Sequence, residues 1–331
     1  MNTTARQTSL PDEPAINETE PTEPTKIQRG RAAHRSRAKS IPKVSYESSA
    51  SVQNWLRAQE IERVGIKPDF APEALSHQRD RLWVLSSLSQ FYEDDLITDV
   101  LHTVKSGKEA TVYCCAAHPA TNMPYAAAKV YRPRMFRGLK NDAIYRESRA
   151  QFDASGHEVR SRREIRGAMK KTERGRATEI SSWIHYEFDT QQRLYEAGAD
   201  VPKPLAQLGN AVLMEYIGAQ GDAAPLLQGV ALPPGEAGPL FARVLRNIEL
   251  FLACNRIHGD LSGYNILYWQ GAITIIDFAQ AVDPRYNGGI FPLLARDVAR
   301  VCAYFARYGI EANAVELASE MWTRYLGGPQ S

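Results

Sequence analysis

The sequence predicts an α+β fold in two lobes: a small antiparallel sheet with one helix, then a mainly helical half. Three observations lead there. Short β-rich runs cluster between Asp99 and Tyr131, one helical pattern covers residues 180–198, and beyond Gly218 apolar residues return to helical spacing. A length of 331 residues fits two units of about 150 residues each. The hydrophobic share of 44% and charged share of 24% are those of a soluble globular chain, which excludes fibrous and wholly disordered classes. With 40 Lys and Arg against 38 Asp and Glu, overall charge compels binding to neither nucleic acid nor membrane.

Residues 1–45 are poor in large apolar side chains and pass from an acidic to a basic half, so a disordered tail is expected. A helical extension is expected over 46–98, from Trp55, Leu56 and Ile61 and then Leu82, Leu85, Leu88 and Tyr92. Residues 99–218 form the first lobe. Its strands are expected at 100–104, 110–115 and 125–131, divided by the turn sequences SGKE and HPATNMP. A segment over 132–176 holds 14 basic and six acidic residues, a net +8, and reads as a flexible loop. The helix 180–198, with Trp183, Phe188 and Leu194 near one face, stops at Gly198, and a strand follows at 211–215. Residues 219–331 form the second lobe. Phe241, Leu245, Ile248 and Leu252 mark one helix, and Leu294, Val298, Val301, Cys302 and Phe305 mark another.

Four cysteines, Cys114, Cys115, Cys254 and Cys302, show no CxxC spacing, so reduced thiols in a cytoplasmic protein are expected. The N-terminal stretch has no apolar core of a signal peptide, and no 18 apolar residues run together, so neither secretion nor membrane insertion is expected.

The segment IHGDLSGYNILYWQGAITIIDFAQ carries the chemistry. Asp260 and Asn265 are five residues apart, and Asp277 follows twelve later. Two β-like runs around Gln270 and Gly271 would bring Asn265 and Asp277 to one edge, and an Asn plus an Asp suffice for Mg²⁺, which takes few protein ligands. This spacing resembles the catalytic loop and metal aspartate of protein kinases. Upstream, Lys129 lies in the apolar strand AAAKVY, where a bare ammonium would be costly; the resemblance to protein kinases, which pair a strand lysine with a helix glutamate, makes Glu187 on the following helix its expected partner. Ser106, Gly107 and Lys108 occupy the place of a phosphate-covering turn. Glu215 and Ile217 end a strand before Gly218, where, by the same resemblance, a kinase hinge would present backbone groups to adenine.

GKEATVY, AKVYRP, LMEYIG, HGDLSGYN and IIDFAQAV together look like the atypical RIO kinase family, over about residues 81–325. The resemblance implies a two-lobed protein-kinase-like fold without a long activation loop, and Mg²⁺-dependent transfer from ATP to a serine or threonine of a protein substrate or of the chain itself. Lys129 would contact ATP, Asp260 accept the proton, Asn265 and Asp277 hold the metal, and Asp277 could instead take the phosphoryl group itself in an ATPase cycle. It also suggests an RNA or ribosomal-particle partner for the basic segments. Departures from ordinary kinases are Gly259 in place of an arginine, Ser262 in place of a phosphate-facing lysine, Ala279 in place of the glycine of DFG, and no APE. Two alternatives stay open, a small-molecule phosphotransferase of the aminoglycoside or choline kinase kind and a low-turnover nucleotide-binding assembly factor.

Overall fold

The computed structural model of the chain describes residues 70–75, 81–107, 109–132, 173–286 and 289–328, all within the unit Val44–Ser331. The expected tail, much of the helical extension, Lys108 and nearly all of the basic segment lie outside the described residues.

Five antiparallel strands make the first sheet: β1 (Ile97–Ser106), β2 (Ala110–Ala117), β3 (Tyr125–Tyr131), β4 (Pro204–Leu208) and β5 (Ala211–Glu215), in the order β1-β2-β3-β5-β4. β1, β2 and β3 form the expected meander. β4 is an addition, hidden in the sequence by Pro202 and Pro204; a proline at the first position of an edge strand removes no ladder bond that the sheet needs.

Alternation along the strands separates two faces. Tyr113 and Cys115 of β2, with Ala126 and Ala128 of β3, pack beneath helix α1 (Arg81–Glu93), whose Trp83, Val84, Leu88 and Phe91 are buried there. Cys114 of β2 and Ala127 of β3 face the opposite side with Tyr216. Lys129 and Tyr131 have the parity of Ala127, so they too belong to this second face. The vicinal cysteines thus point to different faces, and all four thiols are free. α1 is also tied to β3 directly, since the Trp83 indole donates to the Tyr131 carbonyl at 3.1 Å.

Helix α2 (Glu173–Glu196) begins seven residues before the expected start and ends as expected: Gly198 takes φ +76°, and Ala199 N–H returns to Leu194 O at 3.0 Å. A short hairpin, β6 (Gly218–Ala219) and β7 (Asp222–Ala223), leads into the second half. There α3 (Ala237–Ala253), α4 (Phe291–Ala306) and α5 (Ala314–Gly327) share one core with the hairpin of β8 (Ile266–Trp269) and β9 (Ala272–Ile275). The hairpin turn has φ +50° at Gln270 and +81° at Gly271, the two positive values that a tight two-residue connection requires.

The α4 stripe is buried as expected, but α3 is rotated from its expected register. Leu240, Val244, Ile248, Phe251 and Leu252 are buried, while Phe241 and Leu245 are half-buried at the margin. The polar Asn247 explains the difference. It is fully buried, accepting from Asp200 N–H at 2.7 Å and donating to the Asp200 carboxylate at 2.7 Å, and that pair turns its side of the helix inward. No described helix is long and apolar enough to cross a membrane.

Replacing Trp83 by Ala removes a buried indole and its hydrogen bond, so a loss of about 3–5 kcal/mol is expected. Urea unfolding of both proteins measures it, as a lower midpoint with little change in slope.

Candidate functional site

The site is built where β3, α2, the loop after α3 and the end of β9 meet. Lys129 pairs in register with Val112 of β2 and Val212 of β5, which fixes its backbone in the middle of the sheet. Its ammonium lies 2.6 Å from Glu187 Oε1 on α2 and 2.9 Å from Asp277 Oδ1 just beyond β9. The expected lysine–glutamate pair is therefore formed, and the same ammonium reaches Asp277. The second oxygen of Glu187 accepts the Tyr131 hydroxyl. Tyr131 is held in turn by the Trp183 ring, edge-on at 5.1 Å. Burial works against the Lys129 charge, but the Asp277 and Glu187 carboxylates outweigh it and hold the ammonium well above its ordinary value. The ammonium holds the Asp277 carboxyl below the usual carboxylate range.

Asn265 and Asp277 do meet at one edge. Ile276 N–H donates to Asn265 O at 2.9 Å, directly continuing the β8–β9 ladder, so the two residues stand at the open end of one hairpin. Asn265 Nδ2 donates to the Asp260 carbonyl at 2.8 Å and to Asp260 Oδ2 at 3.3 Å, which leaves its Oδ1 available as a neutral oxygen donor. Asp277 has φ +71° and ψ +72°, a conformation that aspartate tolerates better than most residues and that is uncommon outside constrained sites. One ammonium between two carboxylates leaves a net negative charge beside the Asn265 oxygen. Among the described residues no three His, Cys, Asp or Glu side chains form a metal cage. A divalent ion here would rest on Asn265 and Asp277 with substrate oxygens completing its shell, a donor set that suits Mg²⁺.

The loop carrying Asp260 is positioned from two sides, by His258 and by α4. His258 is buried; its Nε2 lies 3.1 Å from Ile276 O and its Nδ1 accepts from Asp260 N–H at 3.3 Å, a pattern that assigns the proton to Nε2. Burial depresses the imidazole below its ordinary value, which keeps it neutral for that role. From α4, Asp297 accepts Gly259 N–H at 2.7 Å and Leu261 N–H at 3.0 Å, and Arg296 donates to Gly259 O. Arg300 pairs with Asp260 Oδ1 at 2.6 Å. Gly259 stands where ordinary kinases carry arginine for a steric reason: its φ is +76°, and a Cβ there would lie 2.4 Å from Gln280 O.

The remaining expected residues divide. Ser106 ends β1 and accepts from Arg132 Nη2 at 2.6 Å, and Gly107 N–H closes the turn onto Ala110 O at 2.9 Å. Lys108 lies outside the described residues. Glu215 ends β5, where its Oε2 accepts Lys203 N–H at 3.1 Å, and the Ile217 carbonyl accepts Ala224 N–H at 3.0 Å.

Sequence reasoning missed Tyr131, Arg256, Asp297 and Arg300. Arg256 is buried, contacts Thr190 Oγ1 at 3.0 Å, Asp189 at 3.1 Å and Asp283 at 3.3 Å, and lies over the Tyr186 ring at 5.0 Å. It ties the stretch of α2 that carries Tyr186, Glu187 and Thr190, little more than one turn, to the segment following Asp277. Asp297 left a trace in the sequence: an acid in the middle of the Leu294, Val298, Val301 stripe occupies a core position and needs donors. Arg256 and Arg300 left none, because an arginine at a helix end or on an exposed helix face is ordinary.

Two measurements follow from this geometry. Gly259→Ala forces its methyl onto a backbone oxygen in a left-handed conformation, so a loss of at least about 1–3 kcal/mol is expected, read by thermal or chemical unfolding. Burial pushes the Asp297 carboxyl up to about 7. The folded chain therefore keeps that proton to near pH 7, while the unfolded chain releases it near pH 4. Folding takes up a proton between these values, and stability falls as pH rises through the window, on the order of 4 kcal/mol in total. Unfolding curves between pH 4.5 and 7.5 are expected to show that decline and to lose most of it in Asp297→Asn.

Comparison with known proteins places these features. The RIO domain family matches residues 129–318, from Lys129 into α5. The serine/threonine-protein kinase rio1 of Schizosaccharomyces pombe is 27% identical over 267 residues, covering 79% of this chain and 48% of that protein. The RIO-type serine/threonine-protein kinase Rio1 of Haloferax volcanii is 29% identical over 218 residues, covering 65% of this chain and 66% of that one. A crystal structure of the Rio2 kinase–ADP/Mg²⁺–phosphoaspartate complex from Chaetomium thermophilum aligns over 82% of this chain and 86% of that one, at 18% identity and a TM-score of 0.45. The chain spans about half the length of the fission-yeast relative. With more than half of its residues matched by the family, including Lys129, Glu187, Asp260, Asn265 and Asp277, the chain belongs to the RIO family.

Proposed function

We propose that the chain transfers the terminal phosphoryl group of ATP, with Mg²⁺, to a serine or threonine hydroxyl of a protein substrate or of itself. The observation that carries this reading is the Lys129 ammonium held at once by Glu187 and Asp277. That arrangement aims one cation into the space between a sheet and a metal-binding carboxylate, which is what gripping a triphosphate requires. Residues 99–218 and 219–331 act as the two lobes enclosing the nucleotide. The turn at Ser106, Gly107 and Lys108 covers the phosphates, and backbone groups of Glu215 and Ile217 receive the adenine edge.

Asn265 and Asp277 would hold Mg²⁺, which would supply positive charge against the phosphates. Asp260 orients the acceptor hydroxyl and takes its proton, while His258 and Asp297 hold the backbone on either side of it. The relatives named as serine/threonine-protein kinases support this class of acceptor. A second acceptor is Asp277 itself. Its half-exposed carboxylate, kept ionised by Lys129, is chemically able to attack the terminal phosphorus, releasing ADP and leaving an aspartyl phosphate for water to cleave. The basic segment 132–176, net +8, suits the phosphates of an RNA or a ribosomal particle. Free thiols suit a reducing, cytoplasmic setting.

Incubation with Mg²⁺ and ATP labelled at the terminal phosphate tests the reading. Asp260→Ala is expected to slow transfer by about 10²–10⁴-fold with ATP affinity changed only a few-fold. Undiminished turnover in that variant would remove Asp260 from its role. Label on serine survives acid, whereas label on Asp277 is acid-labile and disappears in Asp277→Asn, so one chemical step separates the two acceptors.

A further inference from the structure

Three residues of α4 contact three consecutive residues of the loop at 259–261. Arg296 donates to the Gly259 carbonyl, Asp297 accepts the Gly259 and Leu261 amides, and Arg300 Nη1 lies 2.6 Å from Asp260 Oδ1. The first two hold backbone. Arg300 alone reaches the side chain that the proposed reaction uses. The pair is half in water, with side-chain exposures of 41% and 50%, and ion pairs so exposed contribute little to stability. Fold stability therefore gives no reason for it, and the reason is to be sought in the orientation of Asp260.

Both oxygens of that carboxylate are engaged. Oδ1 takes the charge-assisted bond from Arg300, and Oδ2 takes the longer bond from Asn265 Nδ2 at 3.3 Å. Two donors at two oxygens fix the plane of the group, not merely its position. Arg296, one turn earlier on α4, is committed to Gly259 and does not stand in for Arg300. Within the loop itself, Ser262 replaces the lysine that ordinary kinases carry two residues after the base.

We infer that Arg300 is a positioning residue for phosphoryl transfer, a guanidinium from α4 that orients the Asp260 carboxylate and supplies the cation absent at Ser262. The inference rests on Asp260 being the proton acceptor. In the step itself the acceptor oxygen bonds to phosphorus, the bond to ADP breaks, and the hydroxyl proton passes to Asp260. Arg300 exchanges no proton and fixes the direction from which the carboxylate receives it. A displacement of about 1 Å at such a group costs on the order of 10²-fold in rate.

The test measures kcat, the KM for ATP and the equilibrium ATP affinity for five proteins: the full chain, Asp260→Ala, Arg300→Ala, Arg300→Lys, and Arg300→Ala combined with Ser262→Lys. Arg300→Ala is expected to lower kcat by about 10- to 100-fold with ATP affinity within twofold of the parent and an unchanged melting temperature. Arg300→Lys is expected to retain most of kcat. Ser262→Lys is expected to restore at least part of the loss in the Arg300→Ala background, an effect that a merely structural arginine would not show. A parental kcat in Arg300→Ala beside an inactive Asp260→Ala overturns the inference and leaves the base assignment standing. A rise in kcat in Arg300→Ala makes the guanidinium a brake and overturns it as well, as does a loss confined to ATP affinity. Full activity in Asp260→Ala overturns the reading beneath it and the inference together.

Discussion

The structure depends on one buried cation and its two anions. Lys129 is placed by β3, Glu187 by α2 and Asp277 by the end of β9, so three elements distant in sequence are fixed relative to one another by a single ammonium. A buried lysine without partners would give up its proton or the fold would rearrange. With both carboxylates it keeps the proton, and for Glu187 the requirement runs the other way too: a carboxylate so buried needs the ammonium as its partner. The surrounding residues serve this arrangement. Tyr131, two residues along the same strand and so on the same face, takes the second oxygen of Glu187, and Trp183 holds Tyr131.

The helix that carries Glu187 is itself anchored by a second ionic cluster. Arg256, buried between Asp189, Thr190 and Asp283, joins α2 to the segment that follows Asp277. The two clusters are mechanically in series, since any shift of α2 that moves Glu187 away from Lys129 also drags Asp189 and Thr190 away from Arg256. Removing one member of such a buried network leaves the others desolvated and unpaired, which costs more than the intact network contributes. The clusters therefore specify one position of α2 more than they add net stability.

Much of this was legible in the sequence because the informative residues are constrained by spacing. The interval from Asp260 to Asn265 and the interval from Asn265 to Asp277 are set by a loop and a tight hairpin, both local, and local geometry follows from turn chemistry at Gln270 and Gly271. Lys129 was visible as a charge in an apolar strand. Its contact with Glu187, 58 positions away, was legible only through the family resemblance, since periodicity carries no information about which distant acid answers a buried base. β4 was missed because prolines weaken a strand signal without forbidding an edge strand, and the α3 register was displaced by Asn247, a polar core residue that hydrophobic periodicity counts as surface. Arg256 and Arg300 escaped for a more general reason: arginine is so common on surfaces that its function shows only once its partner's position is known.

Gly259 and α4 explain how a loop of this kind is held without long side chains of its own. The backbone at Gly259 turns through a left-handed conformation so closely against Gln280 that no side chain fits, and the residue cannot reach out to anchor the loop as an arginine would. Anchoring passes instead to α4, which meets the loop at a carbonyl, two amides and a carboxylate through Arg296, Asp297 and Arg300. Those four contacts come from three residues within little more than one turn of a helix whose Leu294, Val298, Val301 and Phe305 are sealed into the core of the second half. The accuracy with which Asp260 is aimed is thus inherited from hydrophobic packing: the loop is as rigid as the helix behind it, and the helix is as rigid as the core that grips it.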